Sequence, residues 1–112
     1  MGLLYDACKS GNLEQLEIAL LKGADPTARN NEALRGAARN GHLDVVNRLL
    51  DIDGVDPTAD NNYALRWAAY NGYLDVVNRL LGIDGVDPTA DNNAAIREAA
   101  RNGHLDVRHR RR

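Results

Sequence analysis

The sequence predicts an all-α fold, a solenoid built from stacked helical-hairpin repeats.

 The segment "NNEALRGAARNGHLDVVNRLLDIDGVDPTAD" occupies residues 30 to 60, and a close copy spans 61 to 91, so the period is 31 residues. A partial copy follows at 92 to 107, and a degenerate copy precedes them at 3 to 29. Apolar residues recur at helical spacing in every copy, and Gly and Pro separate the apolar segments. Because one such unit cannot bury its apolar face alone, the copies are expected to stack.

The first half of each copy predicts a helix. In the middle copy, Asn62 is a favourable N-cap residue. Leu65, Ala68 and Ala69 follow on one side of the predicted helix. Gly72 is expected to end it, because glycine readily adopts the left-handed conformation that closes a helix.

The second half of each copy predicts another helix, "YLDVVNRLL" in the middle copy. Its apolar residues lie at helical spacing and predict one buried stripe. The residues of that stripe are Leu74, Val77, Leu80 and Leu81. Asp75 lies in the first turn, where a carboxylate interacts favourably with the helix dipole. Gly82 and Gly85 are expected to end this helix.

The connector "DIDGVDPTADNN", residues 51 to 62, partly matches a calcium-binding loop. Its twelfth residue is Asn62, which cannot supply the bidentate carboxylate of such a loop. In the next copy Gly82 replaces the first aspartate, while the residues that shape the backbone persist. We therefore expect a structural connector that turns the chain back after each helical hairpin, with no metal and no cofactor. In the next copy, "VDPTADNN" at 86 to 93 is expected to run extended into the following helix cap.

Composition limits the classes of protein that fit. The chain has 112 residues and a net charge of -2. Its length predicts a single domain, residues 1–107, followed by a basic tail, residues 108–112. The acidic body makes a nucleic-acid surface unlikely, and no apolar run is long enough to span a membrane. The first residues lack the pattern of a signal peptide, which favours an intracellular location, and Cys8 is expected to be a buried filler.

The repeats resemble the ankyrin family. The residues that carry the resemblance are "AARNGHLDVVNRLL" at 37 to 50, "AAYNGYLDVVNRLL" at 68 to 81 and "KGADPTA" at 22 to 28. The family pattern T-P-L-H-x-A has weakened counterparts, with arginine at the place of its histidine. These arginines are Arg35, Arg66 and Arg97. Compared with the family, the connector is shortened before the first helix and lengthened by one residue after the second, which predicts a tight turn in place of the family's β-hairpin finger.

The resemblance implies a binding protein and not an enzyme. It implies a partner protein held on the groove formed by the first helices and turns, with no small-molecule substrate. The middle copy is aromatic where its neighbours are not, and tyrosine and tryptophan are frequent anchors at interfaces. The predicted partner-binding residues are Tyr63, Trp67, Tyr70, Tyr73, Arg39 and Arg101. Alternatively, the aromatic residues are ordinary packing, with Trp67 filling the space beside Gly36.

Two alternative functions stay open from the sequence. The chain could be a structural spacer, a fragment of a longer array or an engineered scaffold with no partner of its own. The tail "RHRRR" could bind nucleic acid, or it could be a solubilising or truncated end of the array.

Overall fold

The computed structural model describes residues 2–86, which form six helices and contain no strand. The helices are α1 (Leu3–Ser10), α2 (Leu13–Leu21), α3 (Ala28–Arg39), α4 (Leu43–Leu50), α5 (Ala59–Tyr70) and α6 (Leu74–Leu81). The predicted all-α class is confirmed. The partial copy at 92 to 107 and the basic tail lie outside the described residues, as do Arg97 and Arg101.

The helices are joined in pairs by a glycine in the left-handed conformation. Gly41 has φ 77° and Gly72 has φ 80°. The Gly41 amide donates to the Ala38 carbonyl at 3.2 Å, and the His42 amide donates to the Ala37 carbonyl at 3.0 Å. These two bonds satisfy carbonyls that the end of α3 leaves free. The prediction that Gly72 ends the first helix of its copy is confirmed.

The core is aliphatic and continuous from one hairpin to the next. Its largest fully buried side chains include Leu16, Leu34, Leu49, Leu65 and Leu80. In α6 the predicted stripe is only partly right. Val77 and Leu80 are fully buried, Leu74 and Leu81 are partly buried, and Val76 is fully buried although the prediction omitted it. Because α6 contacts both α5 and α4, its buried face is wider than a single stripe.

The first helices of the hairpins, α1, α3 and α5, pack side by side. The second helices, α2, α4 and α6, contact one another much less. A stack whose elements are closer on one side than on the other curves towards the closer side. The first helices therefore line the inner face of the described repeats.

The connectors that the structure describes contain compact turns. The extended path that the sequence predicts for residues 86 to 93 is therefore wrong for the equivalent residues 55 to 62, while residues 87 to 93 lie outside the described part of the chain. The Asp56 carboxylate accepts from the Thr58 amide at 2.9 Å and from the Thr58 hydroxyl at 2.7 Å. This local bonding favours a turn over an extended chain. The start of α5 continues this turn, because Asp60, Asn61 and Asn62 adopt left-handed, non-helical conformations and form a kink. The predicted tight turn in place of a β-hairpin finger is confirmed at both connectors that the structure describes.

The predicted N-cap at Asn62 is also wrong. Within residues 2–86 its side-chain oxygen has no hydrogen-bond partner. The equivalent Asn31 is buried, and its side-chain oxygen accepts from the Asp56 amide at 3.0 Å. Asn31 therefore joins successive connectors instead of capping its own helix.

Arg35 stabilises the connector at the position where the family pattern has histidine. Its Nε donates to the Asn30 carbonyl and its Nη2 to the Arg29 carbonyl, both at 2.9 Å. Arg29, Asn30 and Asn31 all have positive φ, a conformation that costs free energy for residues other than glycine. The two hydrogen bonds offset part of that cost.

We expect Arg35→Met to lower the free energy of unfolding by about 1–3 kcal/mol, because it removes both charge-assisted hydrogen bonds. Chemical denaturation followed by circular dichroism measures the change. Arg66→Met is the matched control, since Arg66 occupies the same position in the next copy and makes no hydrogen bond within the described residues. Equal losses in the two variants would contradict the role assigned to Arg35.

An ion pair joins neighbouring hairpins on the outer side, between α2 and α4. The Arg48 Nη2 donates to the Glu17 carboxylate at 3.2 Å. This hydrogen bond lowers the pKa of the Glu17 carboxyl below its ordinary value. The stabilisation that the Glu17–Arg48 ion pair gives to the folded state is therefore fully present above the ordinary glutamate pKa of about 4.3. It is lost as the pH falls through the lowered pKa of Glu17 in the folded state.

Glu17→Gln is expected to lower the melting temperature slightly at neutral pH, and the difference from the parent should shrink in acid. The effect is small because both side chains are solvent-exposed in part. Thermal unfolding at pH 7 and pH 3 measures it. Glu14→Gln, on the same helix, is the control. A deficit of the Glu17 variant that persists at pH 3 would contradict this prediction.

Candidate functional site

Three aromatic side chains form one cluster on α5. The ring centroids of Tyr63 and Trp67 are 6.0 Å apart, and those of Trp67 and Tyr70 are 5.3 Å apart with an edge-on angle of 75°. These separations are typical of favourable aromatic pairs. The spacing i, i+4, i+7 places the three residues on one side of the helix. We call Tyr63, Trp67 and Tyr70 the aromatic cluster.

Arg39, on the neighbouring first helix, holds the cluster from one side. Its guanidinium carbon lies 4.6 Å from the centroid of the Trp67 ring. Its Nη1 donates to the Tyr63 hydroxyl at 2.9 Å. The sequence prediction that Arg39 and Trp67 share a surface therefore agrees with the structure. These contacts fix the rings before any partner is present.

The cluster is partly open to solvent. Tyr70 is 45% exposed, and Tyr63 and Trp67 are half-buried. A ring that is partly exposed and already held in place can bind a partner at a low cost in conformational entropy. The cluster thus combines packing with an accessible surface.

Tyr73 lies apart from the cluster, at the start of α6. A Cβ placed on Gly41 would meet the Tyr73 ring at 2.5 Å, so this ring packs directly against the glycine turn. His42 occupies the equivalent place on Gly11, and its Nε2 lies 3.0 Å from the Lys9 carbonyl. Tyr73 is 37% exposed, but its packing role is the same as that of His42.

The space beside Gly36 is filled by a residue that the sequence prediction did not consider. A Cβ on Gly36 would meet the Tyr5 ring at 3.0 Å. Tyr5, and not Trp67, is thus the ring that covers this glycine. Tyr5 takes the place of Arg35 in the degenerate first copy. This difference between the copies is the sequence signal that distinguishes Tyr5 from the equivalent residues.

An open pocket of about 350 Å³ lies between the first helices. It is lined by Tyr5, Lys9, Glu32, Arg35, Gly36, Arg39, Asn40 and Tyr63. Arg39 and Tyr63 belong to both the pocket and the aromatic cluster, so the two features form one continuous surface. The prediction named Arg39 and Tyr63 but omitted Lys9, which occupies the position of Arg39 in the first copy.

Charge is distributed unevenly between the two sides of the stack. The first helices carry five cations, Lys9, Arg29, Arg35, Arg39 and Arg66, against three carboxylates, Asp6, Glu32 and Asp60. The second helices carry two cations, Arg48 and Arg79, against four carboxylates, Glu14, Glu17, Asp44 and Asp75. The inner face is therefore the more positive of the two.

The described residues contain little that resembles a catalytic or metal site. Cys8 is fully buried, and burial raises the pKa of its thiol to about 12. The prediction that Cys8 fills the core is confirmed. Among residues 2–86, no group of three His, Cys, Asp or Glu side chains could hold a metal ion. In the same part of the chain, no helix is long and apolar enough to cross a membrane.

Comparison with known proteins agrees with the architecture. A family model described as ankyrin repeats, in three copies, matches residues 4–92 and 34–109. The chain belongs to the ankyrin repeat family. A search of curated proteins finds no match to it. Ankyrin repeats are generally protein–protein interaction modules and are typically not enzymes, so the inner face of this ankyrin array is its candidate functional site.

Proposed function

We propose that this ankyrin array binds a partner protein on its inner face, with Trp67 and Tyr70 as the anchors. The observation that carries the proposal is an aromatic cluster that is held in place on one side and exposed on the other. Tyr70 is 45% exposed although it contacts Trp67. Tyrosine and tryptophan contribute much of the binding free energy at protein interfaces.

The surroundings of the cluster support the same surface. Tyr63 and Arg39 connect the cluster to the pocket between the first helices. Arg101, which the sequence analysis placed on the same surface, lies outside the described residues and stays a prediction. Tyr73 is left out of the proposed anchor, because its ring packs against Gly41.

Tyr70→Ala tests the proposal. Peptides are first selected on the intact chain from a random display library, and their Kd values are measured by calorimetry. Tyr70→Ala should weaken binding by about 2 kcal/mol, or roughly thirtyfold, while the melting temperature stays close to that of the parent.

Leu21→Ala is the matched control, because Leu21 is 88% exposed but lies on a second helix. It should leave the peptide Kd unchanged. Binding that survives Tyr70→Ala, or that is lost equally with Leu21→Ala, would overturn the proposal. Binding that requires residues 108–112 would instead support the tail as the interaction site.

A further inference from the structure

We infer that the partner places an aspartate or glutamate carboxylate in the pocket between the first helices, beside Lys9 and Arg39. This inference rests on the proposed function and gives the chemistry of the partner. The bound segment would carry an apolar or aromatic side chain on the aromatic cluster and an acidic side chain in the pocket.

The cations of the pocket differ in their availability. Arg35 is already occupied, because it donates to two backbone carbonyls and lies 3.6 Å from the Asp60 carboxylate. Arg39 uses its Nη1 for the Tyr63 hydroxyl. Within the described residues its other N–H groups make no hydrogen bond, and the Lys9 amine makes no ion pair. Lys9 and Arg39 are therefore the groups that can bind an incoming anion.

The shape of the guanidinium suits a carboxylate. The two oxygens of a carboxylate match the paired N–H groups of a guanidinium. Glu32 also lines the pocket and lies 4.0 Å from Arg29, a long and weak ion pair. The negative charge of Glu32 opposes an incoming anion, but the positive charges of Lys9 and Arg39 outnumber it, so their sum attracts an anion.

The charge distribution of the six described helices also favours an acidic partner on this side. The first helices carry an excess of cations, whereas the second helices carry an excess of carboxylates. An acidic segment is thus attracted to the inner face and repelled from the outer one. Such complementarity steers association and selects the orientation of the partner.

One short segment can reach both features. Tyr63 lines the pocket and its ring lies 6.0 Å from that of Trp67. Arg39 lines the pocket and lies over the Trp67 ring. The acidic side chain and the apolar anchor are therefore expected close together in the partner sequence.

The test uses synthetic versions of peptides selected on the intact chain. Replacing the acidic residue of a peptide by its amide should raise the Kd roughly tenfold, the effect of losing a charge-assisted hydrogen bond. Lys9→Gln and Arg39→Gln should each raise the Kd of the acidic peptide more than the Kd of its amide counterpart. Lys22→Gln, a change in a connector lysine away from the pocket, is the control and should leave both Kd values unchanged.

The outcomes separate this inference from the proposed function. Peptides that depend on Tyr70 but bind equally well as acid and amide would overturn the carboxylate inference alone. Peptides whose binding is unaffected by Tyr70→Ala would overturn the proposed function. A tenfold preference for the acid that disappears in Lys9→Gln and Arg39→Gln, and persists in Lys22→Gln, is the expected result.

Discussion

Gly41→Ala is expected to lower the free energy of unfolding by about 2–5 kcal/mol. Gly41 has φ 77°, and a residue with a side chain in that conformation costs about 1–2 kcal/mol. The added Cβ would also lie 2.5 Å from the Tyr73 ring. Overpacking of this kind costs about 1–3 kcal/mol more. Chemical denaturation of the intact chain measures the sum.

Gly23→Ala separates the two causes. Gly23 has φ 90°, but nothing lies within 4 Å of a Cβ placed there. In this control, unfolding free energy should fall only by the cost of the left-handed conformation, about 1–2 kcal/mol. Adding Tyr73→Ala to Gly41→Ala should recover part of the loss, because it removes the ring that the Cβ would meet. Equal losses of unfolding free energy in the two glycine variants would show that the contact between the added Cβ and the Tyr73 ring does not destabilise the protein.

Trp67→Ala is expected to affect both folding and binding. It removes two aromatic pairs and the contact with the Arg39 guanidinium, which together contribute about 1.5–4 kcal/mol to stability. A fully buried tryptophan would cost about 3–5 kcal/mol, and Trp67 is only half-buried. Peptide binding should weaken by at least about 2 kcal/mol.

Unfolding and binding must be measured on the same variant at a temperature where it is folded. Tyr63→Ala and Tyr70→Ala are the comparison, and both should unfold nearly like the parent while binding less well. Loss of stability in all three variants with unchanged binding by the folded protein would show that the cluster is core packing.

The helical hairpins could be predicted from the sequence because their signals are local. Helical spacing defined the apolar faces, and Gly72 defined the turn between α5 and α6. The repeated copies then required stacking, since one hairpin leaves its apolar face uncovered. The position of Arg39 beside Trp67 followed from the same stacking.

The connectors and part of the site depend on contacts between repeats, which local patterns do not reveal. Asn31 bonds the next connector instead of its own helix. Tyr73 was grouped with the cluster because it is aromatic, yet it packs on Gly41. The sequence prediction omits Lys9, because the first copy is degenerate. Lys9 nevertheless occupies the place of Arg39 when that copy is aligned with the others.

Mapping of a bound peptide by nuclear magnetic resonance tests the inner face most directly. The intact chain is labelled with nitrogen-15 and titrated with a selected peptide. We expect the Trp67 indole N–H and the backbone amides of α3 and α5 to shift most, with little change in α2, α4 and α6. Shifts confined to the second helices or to residues 108–112, with the Trp67 indole unchanged, would contradict binding on the inner face.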